Sequence, residues 1–304
     1  MSIKSSVLEK FRRRIAWDDI NTQVLISQLE SARYEEISNQ KIDEADITSD
    51  ACCVSGNGSA EIVVRENLTI CGLHLIPHIL KIFNTNTISH KLHFKEGDQV
   101  SKNSSVATID GEQKEILLVE RTILNFLQKL SGIATLTKKY VDQIDPFSVD
   151  LLDTRKTTPG FRQLEKYATA CGGSFNHRMG LYDRILIKDN HLRAIGVYNK
   201  DSFTNKLSSI RDKYKDHIIE VEIDSVELLE PAISCKFDAI LVDNFSPEEV
   251  KKTMNINNNR VIIEASGGIN LSTISKYAKA KPHFISTGSI VHQSRWLDIG
   301  LDWN

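Results

Sequence analysis

The sequence has no long apolar run and no excess of charge of one sign. Its 304 residues include 38 Lys and Arg against 40 Asp and Glu, which gives a formal net charge of −2 at pH 7. No apolar stretch approaches the roughly 20 residues of a transmembrane helix, and the basic cluster at residues 12–14 is not followed by the apolar core of a secretory signal. These absences argue against a membrane protein, and the missing positive excess argues against a nucleic-acid-binding protein.

Cysteine is scarce as well. The five cysteines are Cys52, Cys53, Cys71, Cys171 and Cys235. Their number is odd and no pair has the two-residue gap of a zinc knuckle, so reduced thiols in a cytoplasmic protein are expected. His74 and His78 have the spacing of a helical metal-binding pair, but Pro77 lies between them and no acidic third ligand is near, which favours a structural role.

What the sequence does contain is the composition of a globular protein, with 40% hydrophobic and 26% charged residues. The first half predicts amphipathic helix over residues 1–40, and then short strands at residues 60–64, 68–73, 90–94 and 106–109 that form a mostly antiparallel sheet. Residues 115–144 have helical periodicity, and Gly132 is expected to divide them into two helices.

The second half alternates strands and helices. Strands are predicted at residues 147–152, 184–187, 217–223, 237–242, 260–265 and 284–286, with helices at residues 161–171, 203–214, 226–234, 247–254 and 271–279. Short loops and nearly continuous apolar strands predict a parallel sheet that is covered on both faces. A closed α/β barrel and an open doubly wound sheet both fit. Polar residues after every strand favour the barrel, whose active site collects residues from all strand ends.

Positive charge is concentrated in residues 153–191, although the whole chain is slightly acidic. The basic residues at or near strand ends in this stretch are Arg155, Lys156, His177, Arg178 and Lys188. A cation at the end of a buried strand faces either an anion or a carboxylate partner, and cations outnumber acids at the first two strand ends. Because Arg binds a carboxylate through two parallel hydrogen bonds, this half of the site suits a substrate that carries carboxylates.

Two glycine-rich turns and two carboxylates complete the predicted site. The turns are Ser266-Gly267-Gly268 and Thr287-Gly288-Ser289. Each alone is as readily an ordinary tight turn, but together, at matching strand ends, they predict a phosphate cradle. Glu222 and Asp243 suit either Mg²⁺ bound mostly through water and phosphate oxygens or stabilisation of a cationic sugar carbon. The residues thus predict an enzyme that acts on polyanionic small molecules.

Seven segments carry a resemblance to a known family: DTRKTTPG, NHRMGL, LIKDNH, EVEIDS, LVDNF, EASGG and STGS. Their order and spacing closely resemble the quinolinate phosphoribosyltransferase family, and ERTILNFLQKLSGIAT and DITSD upstream are similar to it as well. The resemblance runs from about residue 42 to the C-terminus. It departs from the family pattern at Ala45, Ser174 and residues 291–293, none of which is among the cations and carboxylates named above.

The resemblance implies a fold and a reaction. The fold is the type II phosphoribosyltransferase fold, with an N-terminal α/β sandwich domain at residues 1–114, to which a C-terminal tail at residues 291–304 returns, and an incomplete (open) α/β barrel at residues 115–290. The implied pentosyltransferase converts quinolinate and phosphoribosyl pyrophosphate to nicotinate mononucleotide, pyrophosphate and CO₂ with Mg²⁺, in de novo NAD biosynthesis. A cytoplasmic homodimer or higher homo-oligomer with shared active sites is implied as well.

The resemblance also implies a role for each site residue. The two quinolinate carboxylates are bound by Arg155, His177, Arg178, Lys188 and, from a neighbouring subunit, Arg121. The phosphoribosyl donor is handled by Lys156, Glu222 and Asp243, and the two acids hold its Mg²⁺ directly or through water. The 5′-phosphate is cradled by Ser266, Gly267, Gly268, Thr287, Gly288 and Ser289, and Thr154 belongs to the substrate-binding set. Catalytic roles fall to Lys156, Lys188, Glu222 and Asp243.

Three alternatives remain open. A nicotinate-type phosphoribosyltransferase binds a substrate with one carboxylate and needs fewer cations than this site supplies. A phosphate-binding barrel lyase or aldolase would use Lys188 as a Schiff-base lysine. A non-catalytic ligand sensor on the same fold would not require Glu222 and Asp243.

Overall fold

A computed structural model describes residues 3, 5–197 and 199–304. Residues 1, 2 and 4, which the helical prediction for residues 1–40 includes, lie outside the described residues. The chain divides into two compact units. Unit 1 comprises the described residues up to Arg14, Lys139–Thr157 and Ser174–His292, and unit 2 comprises Ile15–Lys138, Thr158–Gly173 and Gln293–Asn304. The domain boundaries implied by the family resemblance stay a prediction.

Helices are distributed along the whole described chain. In chain order the α-helices are α1 Ser5–Phe11, α2 Thr22–Ile37, α3 Ile42–Ala45, α4 Ile47–Ala51, α5 Leu75–Ile82, α6 Gln113–Ile144, α7 Arg162–Cys171, α8 Asp189–Ala194, α9 Lys200–Leu207, α10 Ile210–Lys213, α11 Leu229–Ser234, α12 Pro247–Asn257, α13 Ile274–Lys279 and α14 Ser289–His292. Short 3₁₀ helices lie at Trp17–Asp19, Asp145–Phe147 and Val226–Leu228.

The strands are short, as is usual for globular proteins. In chain order they are β1 Asn57–Val64, β2 Leu68–Thr69, β3 Ser89–Leu92, β4 Gln99–Val100, β5 Ser105–Glu112, β6 Asp150–Leu152, β7 Ile185–Ile187, β8 Ile219–Ile223, β9 Ala239–Asp243, β10 Ile262–Ser266, β11 Phe284–Ser286 and β12 Ile299–Trp303.

Unit 1 is built on a parallel sheet of six strands in the order β6-β11-β10-β9-β8-β7. Every neighbouring pair is parallel, and a parallel bridge from Leu152 to Phe175 extends the sheet beside β6. Strands β8 to β11 are almost fully buried, as expected where helices cover both faces of a parallel sheet. Among the described residues the sheet does not close on itself, so the predicted incomplete α/β barrel is confirmed.

Helix α1 covers the amino ends of three of these strands. Its Phe11 lies in a buried cluster with Leu152, Ala239, Ile262 and Phe284, and the Phe11 and Phe284 rings stack with their centroids 5.5 Å apart. Three members of the cluster are the first residues of β9, β10 and β11. Burial of the Phe11 ring contributes about 1.5–3 kcal/mol to the stability of unit 1.

Unit 2 contains an antiparallel sheet of four strands in the order β12-β1-β5-β3. Strands β2 and β4 form a separate antiparallel pair, so the antiparallel sheet predicted for the first half is confirmed. The C-terminal strand β12 pairs along β1, from Val64 opposite Ile299 to Ala60 opposite Trp303. Ala60, Ile62 and Val64 are fully buried, and their alternation along β1 follows the two-residue period of a strand.

Helix α6 runs without a break over 32 residues, so the predicted division at Gly132 is wrong. Glycine is about 1 kcal/mol less favourable than alanine inside a helix, but here it permits a close approach of two backbones. A β-carbon at Gly132 would collide with the carbonyl oxygen of Arg295. Long as α6 is, no helix among the described residues combines the length and the apolar character needed to cross a membrane.

Two other local predictions need correction. The strand expected at residues 68–73 is only the two-residue β2, and helix α5, which the pattern did not reveal, begins at Leu75. Pro77 lies in the first turn of α5, where its missing N–H has no intrahelical partner to lose. The helix expected over residues 203–214 is divided into α9 and α10.

We expect Gly132→Ala to lower the free energy of unfolding by about 1–2 kcal/mol. The new methyl group must displace the Arg295 backbone, at a cost of about 2–3 kcal/mol, and the gain in helix propensity offsets only about 1 kcal/mol of it. Urea unfolding of the two proteins measures the difference. Lys139→Ala, at an exposed position of the same helix, is the control and should change stability by less than about 0.5 kcal/mol. Equal stability of Gly132→Ala and wild type would contradict the packing explanation.

Candidate active site

The carboxyl ends of β8, β9 and β10 lie at one edge of the unit 1 sheet because the three strands are parallel and in register. Ile223 pairs with Val242, and Ser266 pairs with Asp243. Glu222 therefore lies one strand away from Asp243, and Asp243 one strand away from Ser266. The structure thus brings together three of the residues predicted from strand ends.

Glu222 and Asp243 form a carboxylate pair with cations beside it. Lys188 Nζ donates a hydrogen bond to Glu222 Oε2 at 2.8 Å. Burial, and next the negative charge of Glu222, raise the pKa of Asp243, while Lys188 and Lys156 oppose the shift. Asn244 Nδ2 also donates to Asp243 Oδ2 at 2.7 Å. The two acids repel each other across a site that already holds two lysines, which is an arrangement suited to a cationic ligand or reaction centre.

The arginines form a separate cationic group. Arg178 is buried, with 6% of its surface exposed, and its Nη1 donates to the carbonyl oxygen of Arg184 at 3.2 Å. Burial, and then the positive charges of Arg155 and Arg184, lower the pKa of Arg178. Arg155 therefore lies close enough to Arg178 for the two guanidinium groups to repel each other. Two adjacent arginines of this kind are poised to bind an anion with more than one negative charge.

Asp153 anchors the two loops that carry these cations. Its side chain is fully buried, its Oδ1 accepts a hydrogen bond from the backbone N–H of His177 at 2.8 Å, and its Oδ2 accepts one from Asn176 Nδ2 at 2.7 Å. Lys156 N–H in turn donates to Thr154 Oγ1 at 3.0 Å. Sequence reasoning assigned no role to Asp153. The available signal was an acid placed directly after a buried strand and before two cations.

The two glycine turns are tied to each other. The hydroxyl groups of Thr287 and Ser289 both donate to the carbonyl oxygen of Ile269, at 2.7 and 3.2 Å. These two side chains therefore brace the turns. The backbone N–H groups of Thr287 and Ser289 also donate within the protein, to the Leu152 carbonyl oxygen at 3.2 Å and to Thr287 Oγ1 at 3.1 Å, and the predicted phosphate cradle stays a prediction. A β-carbon at Gly288 would lie 2.9 Å from Cδ of Lys156, which places the Lys156 side chain against the second turn.

Gly267 and Gly268 differ in what they permit. Both have positive φ, +92° and +61°. A β-carbon at Gly267 would collide with the backbone N and side-chain oxygen of Asn244, whereas one at Gly268 would meet nothing within 4 Å. Gly267 is thus required for the close approach of the β10 end to the β9 end, and Gly268 only for its backbone conformation.

His177 is placed differently from a substrate ligand at the surface of the site. It is 6% exposed, its Nδ1 accepts the backbone N–H of Arg178 at 2.8 Å, and its Nε2 lies 3.5 Å from Glu264 Oε1 and 3.6 Å from Glu220 Oε2. Both ring nitrogens therefore face groups of the protein itself. Its implied role as a carboxylate ligand stays a prediction.

Glu220 and Glu264 belong to a buried charged cluster, and sequence reasoning gave them no role. Arg184 Nη2 lies 3.4 Å from Glu220 Oε2 and 3.9 Å from Glu264 Oε2, and its guanidinium carbon lies 4.2 Å from the centroid of the Phe11 ring. Burial, and next the charge of Glu220, raise the pKa of Glu264 well above its usual range, and Arg184 opposes this shift. The available signal was a glutamate inside each of two apolar strands.

Among the residues that the structure describes, two groups of side chains bring metal-ligand atoms within 4.8 Å of one another. They are His177, Glu220 and Glu264 in unit 1, and Cys71, Glu96 and Cys171 in unit 2. In the first, Arg184 already supplies positive charge to the glutamates. In the second, both Glu96 oxygens accept backbone N–H groups, and burial, then Cys171 and Glu96, raise the pKa of the Cys71 thiol well above its usual range. The glutamates of both groups are thus engaged by other groups of the protein.

Arg121 lies in unit 2, on α6. Its side chain is 58% exposed, and its Nη2 is 4.0 Å from the neighbouring Glu120, a contact of little energetic consequence at this exposure. The other predicted site residues all lie in unit 1. The contribution of Arg121 from a neighbouring subunit stays a prediction.

We expect Gly267→Ala to destabilise the protein more than Gly268→Ala. The second substitution costs about 1–2 kcal/mol for an alanine in left-handed backbone, whereas the first adds a collision with Asn244 to a similar cost. Urea unfolding of both variants measures the order. The explanation fails if the Gly268 variant is the less stable of the pair.

The raised pKa of Glu264 predicts a pH dependence of stability. Above about pH 4.5 the unfolded chain has released this proton while the folded protein still holds it, so this residue makes stability fall as pH rises towards the folded pKa. Glu264→Gln cannot ionise and should lose that part of the dependence. Urea unfolding at several values between pH 5 and pH 8 should show the variant gaining on wild type as pH rises. Parallel curves would show that Glu264 does not hold a proton in the folded state.

The chain matches one family over nearly its whole length. Residues 46–131 match the quinolinate phosphoribosyl transferase N-terminal domain, and residues 133–302 match the quinolinate phosphoribosyl transferase C-terminal domain. It is 37% identical over 264 residues to a probable nicotinate-nucleotide pyrophosphorylase (carboxylating) of Bacillus subtilis, covering 86% of this chain and 89% of that protein. It is 34% identical over 262 residues to the nicotinate-nucleotide pyrophosphorylase (carboxylating) of Mycobacterium leprae, covering 84% and 90% of the two chains.

A solved structure leads to the same family. The nicotinate-nucleotide pyrophosphorylase from Francisella tularensis superposes with a TM-score of 0.85 at 33% sequence identity, covering 94% of this chain and 98% of that chain. The two domain matches, the sequence relatives and this superposition agree with the parallel sheet described above. The chain belongs to the quinolinate phosphoribosyltransferase family.

Proposed function

We propose that this protein transfers the phosphoribosyl group of phosphoribosyl pyrophosphate to quinolinate and releases CO₂, forming nicotinate mononucleotide and pyrophosphate in de novo NAD biosynthesis. The observation that carries the proposal is the composition of the unit 1 site. One part holds the adjacent arginines Arg155 and Arg178, and another holds the carboxylates Glu222 and Asp243 with two lysines. A diacid and an activated sugar phosphate require these two parts.

The arginine group suits a dianion better than a monoanion. Arg155 and Arg178 repel each other in the protein alone, and a substrate with two carboxylates relieves that repulsion more fully than one with a single carboxylate. Charge-assisted hydrogen bonds of this kind contribute about 1.5–3 kcal/mol each. Nicotinate, which has one carboxylate, would leave part of the positive charge uncompensated.

The carboxylate pair suits the sugar donor. Departure of pyrophosphate leaves positive charge on the ribose carbon, and fixed carboxylates nearby stabilise that charge. Glu222 and Asp243 are held in place by Lys188 and Asn244, so they need no reorganisation as the charge develops. Lys156, which packs against the turn at Gly288, is placed to contact the donor phosphates.

The residues also fit Mg²⁺. The pKa of Asp243 is raised in part by Glu222, so a divalent cation shared by the pair would relieve a repulsion that the protein alone leaves in place. We infer that Glu222 and Asp243 hold the ion directly or through water. Mg²⁺ supplies charge neutralisation for the leaving pyrophosphate.

Decarboxylation follows from the same chemistry. Once the ring nitrogen has attacked the ribose carbon it is positively charged, and it can accept the electron pair that the departing CO₂ leaves on the adjacent ring carbon. The cations that bind the substrate carboxylates hold the ring in place for both steps. Arg178, fixed by its bond to the Arg184 carbonyl, is the most rigidly placed of these.

The proposal includes the assembly and the location of the enzyme. A homodimer or higher homo-oligomer would allow Arg121, exposed on α6, to reach the site of a neighbouring subunit. The cytoplasm supplies phosphoribosyl pyrophosphate and Mg²⁺ and keeps free cysteines reduced. Neither a nucleic acid nor a membrane is required as a partner.

The Schiff-base alternative is disfavoured by the state of Lys188. A Schiff-base lysine needs a neutral amine, which burial or a neighbouring cation produces. Here the Lys188 side chain is 43% exposed and donates a hydrogen bond to the Glu222 carboxylate, so its neighbour is an anion and not a cation. A ligand sensor would in turn gain nothing from two acids that repel each other.

The test is release of CO₂ from carboxyl-labelled quinolinate. Wild-type protein should release CO₂ and form nicotinate mononucleotide only when phosphoribosyl pyrophosphate and Mg²⁺ are both present. Arg178→Ala should lower kcat/KM for quinolinate by at least about 10- to 100-fold, as expected for the loss of one charge-assisted hydrogen bond of about 1.5–3 kcal/mol.

The matched control is Arg260→Ala. Arg260 pairs with Glu230 at the surface of unit 1, and its loss should leave kcat/KM unchanged. Turnover of nicotinate instead of quinolinate would favour the monoacid alternative. A borohydride-trapped adduct on Lys188 would favour the lyase, and full activity of Arg178→Ala would refute the role of the arginine group.

A further inference from the structure

We propose that Glu264 is a positioning residue for Arg178 and acts on it through His177 and Arg184. The proposal rests on the proposed function, because that function assigns Arg178 to the substrate carboxylates. It changes the role of His177, which becomes a link between a buried glutamate and the substrate-binding arginine. Glu264 itself is fully buried in β10.

The backbone of Arg178 is the first point of attachment. Its N–H donates to His177 Nδ1 at 2.8 Å. A nitrogen that accepts a hydrogen bond carries no proton, so the proton of the neutral ring lies on Nε2. Nε2 lies 3.5 Å from Glu264 Oε1, so this glutamate oxygen faces the Nε2 proton and orients the ring that Arg178 is bonded to.

The guanidinium of Arg178 is the second point of attachment. Its Nη1 donates to the carbonyl oxygen of Arg184 at 3.2 Å. The side chain of Arg184 is in turn held between the Phe11 ring and the two glutamates, with Nη2 3.9 Å from Glu264 Oε2 and 3.4 Å from Glu220 Oε2. Arg178 is thus hydrogen-bonded to two residues, His177 and Arg184, and both of them lie beside the same two buried glutamates.

Stability alone does not account for this cluster. Taking Arg184, Glu220 and Glu264 out of water is costly, and well-packed apolar residues in their place are often neutral or stabilising. The oxygens of both glutamates also lack a well-aligned hydrogen-bond donor, so the geometry of the cluster is not the most favourable one for stability. A role in orienting the neighbouring site explains why charged groups are kept there.

Steady-state kinetics of the full-length protein provides the first test. Glu264→Ala should raise KM for quinolinate by about tenfold or more, the loss expected when a charge-assisted hydrogen bond to the substrate is weakened. KM for phosphoribosyl pyrophosphate should change by less than about threefold, because the proposed function assigns Arg178 to quinolinate and not to the donor. Glu264→Gln keeps the size of the side chain and its hydrogen-bonding groups and should restore KM for quinolinate to near the wild-type value.

The control separates positioning from loss of stability. Leu229→Ala removes a fully buried side chain of α11 that is not a member of the charged cluster, and should lower the melting temperature without changing either KM. If Glu264→Ala does not fold, Glu264→Leu, which is closer in volume, replaces it. An unchanged KM for quinolinate in a folded Glu264→Ala or Glu264→Leu protein overturns the proposal.

Nitrogen-15 NMR of the histidine rings gives a readout that does not depend on turnover. The His177 signals, assigned by their loss in His177→Gln, should show a neutral ring protonated on Nε2 in wild type and in Glu264→Gln, and a shifted Nε2 signal in Glu264→Ala, where the oxygen that faces this N–H is lost. A wild-type ring protonated on Nδ1 overturns the proposal. If wild type releases no CO₂ from quinolinate, the proposed function fails, while this NMR comparison still decides whether Glu264 positions His177.

Discussion

The parallel register of β8 and β10 is the constraint on which the site depends. Side chains two residues apart share a face of a strand, so Glu220 and Glu222 lie on one face of β8, and Glu264 and Ser266 on one face of β10. Each strand therefore contributes one polar residue at its carboxyl end and another one layer deeper. The deeper residues form the charged cluster with Arg184, and the outer ones line the site. A shift of one residue in register would turn the outer and the deeper polar residues of a strand to the opposite face of the sheet.

Burying these charged residues costs free energy, and other contacts in unit 1 offset that cost. Three ionisable groups leave water when Arg184, Glu220 and Glu264 are buried, and a buried charge is tolerated only when it is paired or neutralised. The protein does both, because Arg184 faces the two glutamates and the raised pKa of Glu264 keeps that residue protonated to higher pH. Phe11 covers Arg184 and also packs on Phe284, so apolar burial by α1 accompanies the polar cluster.

Local pattern and long-range contact explain what could be predicted from the sequence. Strand–helix alternation, polar strand ends and glycine turns are local features, and they predicted the parallel sheet and the positions of Glu222, Asp243 and Ser266. The helix break predicted at Gly132 was wrong because the residue that Gly132 packs against, Arg295, is distant in sequence. A glycine in a helical pattern looks the same in the sequence whether it ends the helix or allows close packing. For the same reason the sequence did not show that Glu264 lies beside His177. Periodicity indicates which residues are buried, but not which of them are in contact.

The arginine group concentrates positive charge in the free protein. Burial, and then the charges of Arg155 and Arg184, lower the pKa of Arg178, so the protein alone leaves a repulsion between these cations. Arg178 is tied by its backbone to His177 and by its guanidinium to Arg184, which limits its movement. Under the proposed function, a bound dianion would relieve this repulsion more fully than a monoanion would. Cations fixed in advance in this way would favour a substrate with two carboxylates over one with a single carboxylate.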